Sequence, residues 1–335
     1  MKRVCIIGHF GHGETLLNGQ TVKTKIVTKE IVKELGKKEV SCIDTHGGFS
    51  ALKNVMKQSI NALKYHKNVI IMPAENGLRI FAPILLILNV IFHRKLHYVV
   101  IGGWLPQFLK KRKCLSFFLK KFDYIYVEAN DMKVQLEKKG FNNVFVVPNC
   151  KELVILKNED LLYDETEPYK LCTFSRVMKE KGIEDLIAVS KLLPSNYTLD
   201  IYGEIKEDKY RNINFNESGI TYHGVVSSEQ VLKTLVEYDL LLLPSYREGY
   251  PGIIIEAMSV GIPCVSTYAG GIPEIVEDGY NGRLVIPGDV DAIKQAILSI
   301  NATNYSQYSG NALKKFEEEF ESDKTNKRIL EIIMH

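Results

Sequence analysis

The sequence predicts an α/β protein built from two doubly wound, Rossmann-like domains in tandem. Strand-like apolar runs alternate with helical patterns through both halves of the 335 residues, and one Asp- and Glu-rich stretch interrupts the alternation. Such alternation is typical of a parallel sheet with helices on both faces. Two sheets of this kind predict a central cleft facing the carboxyl ends of their strands, where open α/β sheets bind ligands.

The first domain is predicted to span residues 1–150. Its six strands are expected at Arg3–Gly8, Ser41–Asp44, Asn68–Met72, Tyr98–Ile101, Tyr124–Val127 and Val144–Val147. Helical patterns separate them at about residues 22–35, 51–65, 80–92, 110–121 and 132–139.

The acidic stretch, residues 151–169, is predicted to be a linker, and residues 170–305 to form the second domain. Its strands are expected at Leu171–Ser175, Tyr197–Tyr202, Ile220–His223, Leu240–Leu243, Pro263–Ser266 and Gly282–Val285. Its helices are expected at about residues 182–193, 228–237, 252–260 and 290–300. The chain ends in segment 306–335, with an amphipathic helix from about Asn311.

Composition excludes several classes of protein. With 45% hydrophobic and 25% charged residues, the chain is neither disordered, collagen-like nor a coiled coil. Six cysteines are scattered singly, without C-x-x-C pairs, so a reducing, cytoplasmic compartment is expected. The longest apolar stretch, Ile80–Phe92, contains Pro83 and Asn89 and is shorter than the ~20 residues of a spanning helix, so no span is predicted.

The net charge of +3 conceals an asymmetry between the halves. Residues 1–160 carry 26 Lys and Arg against 13 Asp and Glu, whereas residues 161–335 carry 17 against 27. The densest basic run, Lys110–Lys121, interleaves cations with Phe and Leu. This pattern favours an anionic membrane surface as partner, and the alternative is a solvated helix whose Phe and Leu face the core. Nucleic acid is not expected, because no nucleic-acid-binding motif accompanies the run.

Two glycine-rich segments follow the first predicted strand. The first, Gly8–Gly13, lacks the spacing of a dinucleotide-binding loop. The second, Asn18–Thr21, precedes a helix, and its Gly19 lets the backbone approach a diphosphate at the helix N-terminus. A purely structural turn is the alternative.

Two cations follow the first strand of the second domain. Arg176 and Lys181 are expected to project from the carboxyl end of that strand. A guanidinium binds a diphosphate as a fork and an ammonium binds it as a point charge, so this pair predicts a diphosphate site.

Two glutamates eight residues apart flank a loop after the buried strand Leu240–Leu243. Glu248 lies in the loop and Glu256 lies in the first turns of the next helix. The residues between them predict an anion site at a helix N-terminus beside two carboxylates, which suit the hydroxyls of a ribose and a sugar. The loop is formed by Gly249, Tyr250, Pro251, Gly252 and Ile253.

Further short motifs accompany these residues in the second half. The whole set is Ser175-Arg176 with Lys181-Gly182, His223-Gly224, Pro244-Ser245, Glu248-x7-Glu256, Glu256-Ala257-Met258, Gly261-x-Pro263, Gly270-Gly271-Ile272-Pro273-Glu274, Asn281-Gly282 and Pro287-Gly288-Asp289. Over about residues 170–290 it resembles family 4 retaining glycosyltransferases of the GT-B fold, as found in bacterial surface-polysaccharide synthesis.

The resemblance implies a hexosyltransferase-like enzyme that moves a sugar from a UDP- or GDP-sugar to a glycan acceptor with retention of configuration. It implies that Arg176 and Lys181 bind the diphosphate, that Glu248 contacts the donor sugar and that Glu256 binds the ribose. Main chain at Gly224 and Val225 is implied to contact the base. The C-terminal helix is implied to cross back to the first domain, which is the acceptor side.

The acceptor side is less strongly marked. Glu75 and Asn76 follow the third predicted strand, while Gly103 and Trp104 follow the fourth, where many family members carry a histidine. We expect these four residues near the acceptor, with a structural loop as the alternative for Glu75 and Asn76. The basic first half further suggests a lipid-linked acceptor, with the enzyme peripheral on the inner face of the plasma membrane.

No metal or other cofactor is expected. Asp289 and Asp291 form an Asp-x-Asp pattern, but Asp is favoured at a helix N-cap and in the first turn, and a helix is predicted to follow. Two other functions remain open at this stage. One is a nucleotide-sugar epimerase of the same layout, and the other is a non-catalytic sugar-nucleotide-binding partner of another transferase.

Overall fold

The computed structural model describes residues 1–11, 19–46, 48–147, 169–320 and Glu331. They divide into two compact units, the first within Met1–Pro148 together with Glu331 and the second within Asn149–Lys324. Each unit contains one six-stranded sheet in which every strand pairing is parallel. The predicted α/β fold class is therefore confirmed.

The first unit alternates strands and helices. Its strands are β1 Lys2–Gly8, β2 Val40–Asp44, β3 His66–Met72, β4 Lys95–Val99, β5 Tyr124–Val127 and β6 Val144–Val146. Its helices are α1 Gly19–Leu35, α2 Gly48–Tyr65, α3 Glu75–Phe92, α4 Leu105–Phe108, α5 Lys113–Leu119 and α6 Asn130–Glu137. The sheet order is β2-β1-β3-β4-β5-β6, so the strand order reverses between β1 and β3.

The second unit repeats the plan. Its strands are β7 Tyr169–Phe174, β8 Tyr197–Tyr202, β9 Ile220–Gly224, β10 Leu240–Leu243, β11 Cys264–Thr267 and β12 Gly282–Val285. Its helices are α7 Ile183–Ser190, α8 Ser228–Leu235, α9 Gly252–Ser259, α10 Ile272–Ile275, α11 Val290–Ser299 and α12 Tyr305–Lys315. The order β12-β11-β10-β7-β8-β9 reverses between β7 and β10.

Apolar strands sandwiched between helices form the cores. The four residues of β10 are at most 1% exposed, as a strand covered on both faces requires. All six cysteines were expected to be unpaired, and the five in the described residues are free thiols. Cys150 lies outside the described residues.

Strand β4 differs most from its predicted bounds, because it begins at Lys95 rather than near Tyr98. It includes His97, which is fully buried between the Tyr126 hydroxyl, 2.9 Å from Nδ1, and the Asn68 amide oxygen, 3.0 Å from Nε2. Burial lowers the pKa of His97 to about 3, so the ring is neutral and fits the sheet interior. Because His97 is polar, it did not extend the apolar run from which the strand was predicted.

The basic run is not one helix. A 3₁₀ turn at Leu109–Lys111 ends at Arg112, whose backbone leaves the helical region at φ −127° and ψ 66°, and α5 begins after it. The predicted alternative, in which Phe and Leu face the core, holds for Leu115 and Leu119. It does not hold for Phe117, which is 60% exposed.

Helix α12 begins at Tyr305 and packs against α9 within the second unit, continuing as a π-helix at Phe316–Phe320. Residues 321–330 and 332–335, on which the expected crossing back to the first domain depends, lie outside the described residues. So does most of the predicted linker, residues 151–168.

Candidate active site

The candidate site lies at the carboxyl ends of β7 and β10, the two central strands of the second unit. Chain order runs outward from β7 through β8 to β9 on one side, and from β10 through β11 to β12 on the other. The loops after β7 and β10 therefore leave the same sheet edge in opposite directions, which opens a crevice between them. The predicted residues Arg176, Lys181 and Glu248 all lie in these two loops.

Backbone contacts join the two loops. The Tyr246 N–H donates to the Glu180 carbonyl oxygen at 2.9 Å. The Tyr246 hydroxyl donates to Asp185 Oδ1 at 3.2 Å, in the first turn of α7. Burial, together with the charge of Glu184, raises the pKa of the Asp185 carboxyl.

Two glycines permit close approach of these loops. Gly182, at φ +72°, lies so close to the Pro244 carbonyl that a Cβ would stand 2.2 Å from its oxygen. Gly270, at φ +56°, abuts the Glu248 carbonyl, and a Cβ there would stand 2.0 Å from that oxygen. The Gly271 N–H donates to the Gly249 carbonyl at 2.8 Å, so the Gly270-Gly271 turn supports the Glu248 loop from behind.

Lys181 and Glu248, predicted separately, form an ion pair. The Lys181 ammonium is 2.5 Å from Glu248 Oε1, and the two side chains are only 14% and 9% exposed. The same Oε1 accepts a hydrogen bond from the Ser245 hydroxyl at 2.8 Å. Both charges are thus held in place and largely shielded from water. Electrostatic interactions in such a shielded site are stronger than at an open surface.

Arg176 follows β7 and is exposed. In the described part of the chain its guanidinium makes no ion pair, in contrast to Lys181. Its charge is therefore available to an anionic ligand.

The predicted loop between the glutamates divides into a buried and an accessible part. Tyr250 is 7% exposed, with its ring centroid 6.2 Å from that of Phe320, and Pro251 is buried as the residue before α9. Gly252 and Ile253, in the first turn of α9, are partly exposed. The Tyr250 ring is therefore part of the core, so a donor-binding role at this position falls to its main chain.

Glu256 lies in the second turn of α9 and is 8% exposed. A carboxylate this well buried requires polar partners, and Glu256 is not without one.

The predicted base-contacting segment ends β9. Gly224, at φ +74°, has open space beside it, and Val225 is 66% exposed. A row of stacked rings leads to this segment. The Tyr202 ring lies 4.4 Å from the Phe174 ring and 4.6 Å from the His223 ring, between centroids. Sequence reasoning missed this row, although aromatic residues at the ends of three strands were a signal.

In the first unit, α1 begins at Gly19, as its predicted phosphate contact requires. The neighbouring Gln20 amide donates to the Met72 carbonyl at 3.2 Å, at the end of β3. The start of α1 therefore lies beside the point between β1 and β3 where the strand order of this sheet reverses. Asn18 lies outside the described residues.

Two functional candidates of the first unit were missed. Glu128, directly after β5, is 4% exposed and forms an ion pair with Lys23 of α1. Its second oxygen accepts from the Gly102 N–H at 3.2 Å. A Glu at the carboxyl end of a strand was a signal that the sequence offered. The Glu128 carboxylate therefore holds the loop that follows β4 in place.

The predicted acceptor-side residues are not brought into one cluster by any described contact. Glu75 and Asn76 are exposed in the first turn of α3, which begins five residues before its predicted start, rather than in a loop. Gly103 is partly exposed, and the Trp104 indole N–H donates to the Ile101 carbonyl at 2.8 Å. The Trp104 ring thus anchors its own loop.

Two histidines of the first unit lie close together. His46 Nδ1 lies 3.2 Å from His9 Nε2, and His9 Nδ1 lies 2.8 Å from the Thr21 hydroxyl. Asp44 orients both loops, because its Oδ1 accepts from the N–H groups of Phe10 and His46 at 2.9 Å each. No group of three or more His, Cys, Asp or Glu suited to a metal is present within the described residues.

The capping role predicted for Asp289 is confirmed. Its Oδ1 accepts from the Ala292 N–H at 2.9 Å, at the N-terminus of α11. Asp291 is exposed in the first turn of that helix.

Replacing Gly270 by Ala tests whether the glycine turn shapes the site. We expect Gly270→Ala to displace the Glu248 loop, lowering activity and stability together, because the new Cβ would collide with a backbone carbonyl. Gly219→Ala is the matched control, since Gly219 has φ +69° but open space around it. The control should lose only about 1 kcal/mol, the order of a left-handed backbone penalty. Thermal unfolding and turnover of both variants check this, and equal effects would contradict it.

A family model matches part of the second unit, and solved structures match the whole chain. Residues 168–302 match the family model described as Glycosyl transferases group 1, and this segment contains Arg176, Lys181, Glu248 and Glu256. Among solved structures, HepE of Anabaena in complex with UDP and glucose aligns over 100% of both chains, with a TM-score of 0.77 and 16% identity. The structural match shows that the fold is of the GT-B type, and the family model covers residues within the second unit.

Two sequence relatives are more closely similar. An uncharacterized 41.2 kDa protein in the cps region of Klebsiella pneumoniae is 26% identical over 347 residues, which cover 93% of this chain and 92% of the relative. The amylovoran biosynthesis glycosyltransferase AmsK of Erwinia amylovora is 30% identical over 159 residues, which cover 44% of this chain and 38% of AmsK.

Proposed function

We propose that the protein is a retaining glycosyltransferase of family 4, which transfers a sugar from a nucleotide-diphospho-sugar to a glycan acceptor in surface-polysaccharide synthesis. The observation that carries the proposal is the Lys181–Glu248 ion pair between the loops after β7 and β10, with Arg176 in the first of these loops, within the segment matched by the family model. HepE, which has the same fold, is described in complex with UDP-glucose. AmsK is described as a biosynthetic transferase of amylovoran.

The proposed chemistry depends on stabilising a leaving diphosphate. Negative charge develops on that group as the bond to the sugar breaks, and Arg176 and Lys181 are preorganised cations at the position where we infer it binds. Glu248, ion-paired with Lys181, orients the donor sugar, and Glu256 binds the ribose hydroxyls. Gly224 and Val225 contact the base through the main chain, and we infer a diphosphate contact for Gly19 at the start of α1.

The acceptor is proposed to be a lipid-linked glycan bound by the first unit, with the enzyme cytoplasmic and peripheral on the inner face of the plasma membrane. The excess of basic residues in that half supports this assignment, since it favours an acceptor at an anionic surface.

The test is incubation of the purified protein with UDP-, GDP- and ADP-sugars, with and without a lipid-linked glycan fraction. Acceptor-dependent release of the nucleotide diphosphate, with a product whose anomeric configuration by NMR equals that of the donor, is the expected result. Conversion of the donor to its epimer without acceptor would establish the epimerase instead. Binding without any turnover would establish a non-catalytic partner.

Activity is expected to survive excess EDTA. The proposal assigns charge stabilisation of the leaving group to Arg176 and Lys181, and Asp289 is occupied as a helix cap. Initial rates measured before and after chelation check this expectation. Complete loss that Mg²⁺ or Mn²⁺ restores would show that a metal ion carries the role assigned to these cations.

A further inference from the structure

A cavity of about 540 Å³ opens on the first unit beside helices α3 and α5, and it shares no lining residue with the proposed donor site. Four cations contribute to its lining, together with apolar side chains, and its lining contains no carboxylate. The lining residues that matter here are Arg79, Pro83, Lys111, Arg112, Lys113 and Phe118.

These cations have no acidic partner among the residues that the structure describes. In the described residues none of the four forms an ion pair. Both guanidinium groups lie against one ring, with the Cζ atoms of Arg79 and Arg112 at 5.1 Å and 3.9 Å from the Phe108 centroid. Like charges held together in this way repel one another, and an anion that bridges them removes the repulsion. Guanidinium forks match the geometry of a phosphate.

An apolar stripe continues from the cavity along α3. Arg79 and Pro83 line the cavity, and the next positions on the same helix face, at four-residue spacing, are Ile87 and Ile91. Ile87, Val90 and Ile91 are 62%, 69% and 73% exposed. Phe117 of α5, next to the cavity residue Phe118, is 60% exposed. Adjacent large apolar side chains this exposed mark an interaction surface.

Helix α3 is suited to lie on a bilayer. It is the one helix in the described residues that is long and apolar enough to cross a membrane, and 22% of it is buried. However, α3 connects the adjacent parallel strands β3 and β4, and Leu78, Phe81, Ala82 and Leu85 bury its other face. It is therefore held on the sheet and offers its outer face to a surface.

We propose that the cavity binds the phosphate of an anionic phospholipid while the α3 stripe and Phe117 enter the bilayer interface. Charge complementarity identifies the occupant. Residues 1–148 carry 24 Lys and Arg against 10 Asp and Glu, and the four unpaired cations adjoin the exposed apolar stripe. This inference rests on the proposed function in one respect, because the lipid-linked acceptor is the reason for the enzyme to be at a membrane.

The experiment is co-sedimentation of the full chain at low salt with vesicles of phosphatidylcholine alone or mixed with phosphatidylglycerol. Wild-type protein is expected to bind only the mixed vesicles. Lys111→Gln/Lys113→Gln removes two exposed cavity charges and should weaken partitioning about thirty-fold, because each basic residue near such a surface contributes about five-fold. The matched control is Lys37→Gln/Lys38→Gln, which removes two exposed charges elsewhere in the unit and should bind as wild type.

Two further measurements test the contribution of the apolar stripe and distinguish a lipid phosphate from a soluble one. Ile87→Ser/Ile91→Ser should also weaken vesicle binding, since both side chains are largely exposed and their removal leaves the helix core intact. Stabilisation by inorganic phosphate without any vesicle binding would overturn the proposal in favour of a soluble anion. Equal weakening by both Lys double variants, or a stable dimer that covers the stripe, would also overturn it.

Binding of nucleotide diphosphates by the same variants keeps the two proposals distinguishable. Lys111→Gln/Lys113→Gln is expected to bind nucleotide as wild type does. Vesicle binding that persists in a protein unable to bind any nucleotide diphosphate would refute the proposed function and support the membrane surface.

Discussion

Replacing Lys181 or Arg176 by alanine is expected to slow sugar transfer by about two orders of magnitude, the usual effect of losing one preorganised charge at a developing anion. For Lys181 the effect has two sources, because Lys181→Ala also leaves Glu248 without its cation 2.5 Å away. Arg176 makes no ion pair in the described residues, so Arg176→Ala should leave the melting temperature nearly unchanged.

The control for this prediction is Lys179→Ala. Lys179 is exposed in the same 3₁₀ turn as Lys181. It takes no part in the Tyr246–Glu180 hydrogen bond or in the Lys181–Glu248 ion pair. Steady-state rates of the three variants, with circular dichroism to verify the fold, make the comparison. Activity within a factor of about three of wild type in both site variants would remove these cations from the mechanism.

Replacing Glu248 and Glu256 by glutamine is expected to separate chemistry from binding. Glu248→Gln leaves Lys181 with a full uncompensated charge, so affinity for the nucleotide diphosphate should hold or rise. Turnover should fall about a hundred-fold, because the proposed donor-sugar contact loses its charge. Glu256→Gln should mainly weaken nucleotide binding, because a carboxylate accepts ribose hydroxyls more strongly than an amide does.

Calorimetric titration of nucleotide diphosphate, combined with turnover, measures both effects. Glu180→Gln is the matched control, since Glu180 lies in the loop before Lys181 with a half-exposed side chain and only a 4.0 Å contact to Arg247. If Glu256→Gln binds nucleotide as wild type does, the ribose assignment is wrong. If Glu248→Gln weakens nucleotide binding, the Lys181–Glu248 ion pair supports binding of the nucleotide rather than transfer of the sugar.

Sequence periodicity predicted the architecture well, because strands buried between helices are continuous apolar runs. Leu240–Leu243 and Gly282–Val285 have their predicted bounds, and all twelve predicted strands are present. Helix α3 was predicted too short because Gly77, which breaks the helical pattern in sequence, packs in its first turn with a would-be Cβ 2.9 Å from Pro73. The break at Arg112 was not predicted, because the Lys110–Lys121 run contains no glycine or proline that would mark it.

The site was predictable where the chemistry follows strand ends in sequence. Arg176, Lys181 and Glu248 follow strand ends as predicted, but the Lys181–Glu248 ion pair was not predicted, since 67 residues separate the two and only the sheet order brings them together. Glu128 with Lys23 was missed for the same reason. Tyr250 was assigned to the donor, yet its ring packs near Phe320, a residue that no local motif connects to it.

The most direct measurement is the thermal shift of wild-type and Arg176→Ala protein with UDP, GDP and ADP, each compared with its monophosphate. A ligand at 100 times its dissociation constant adds about 2.7 kcal/mol to the free energy of unfolding. The proposed site predicts that one diphosphate raises the melting temperature of the wild type clearly more than its monophosphate does, and that Arg176→Ala loses most of this difference. If no diphosphate stabilises the wild type, or if Arg176→Ala responds equally, the site is not a nucleotide-diphosphate site.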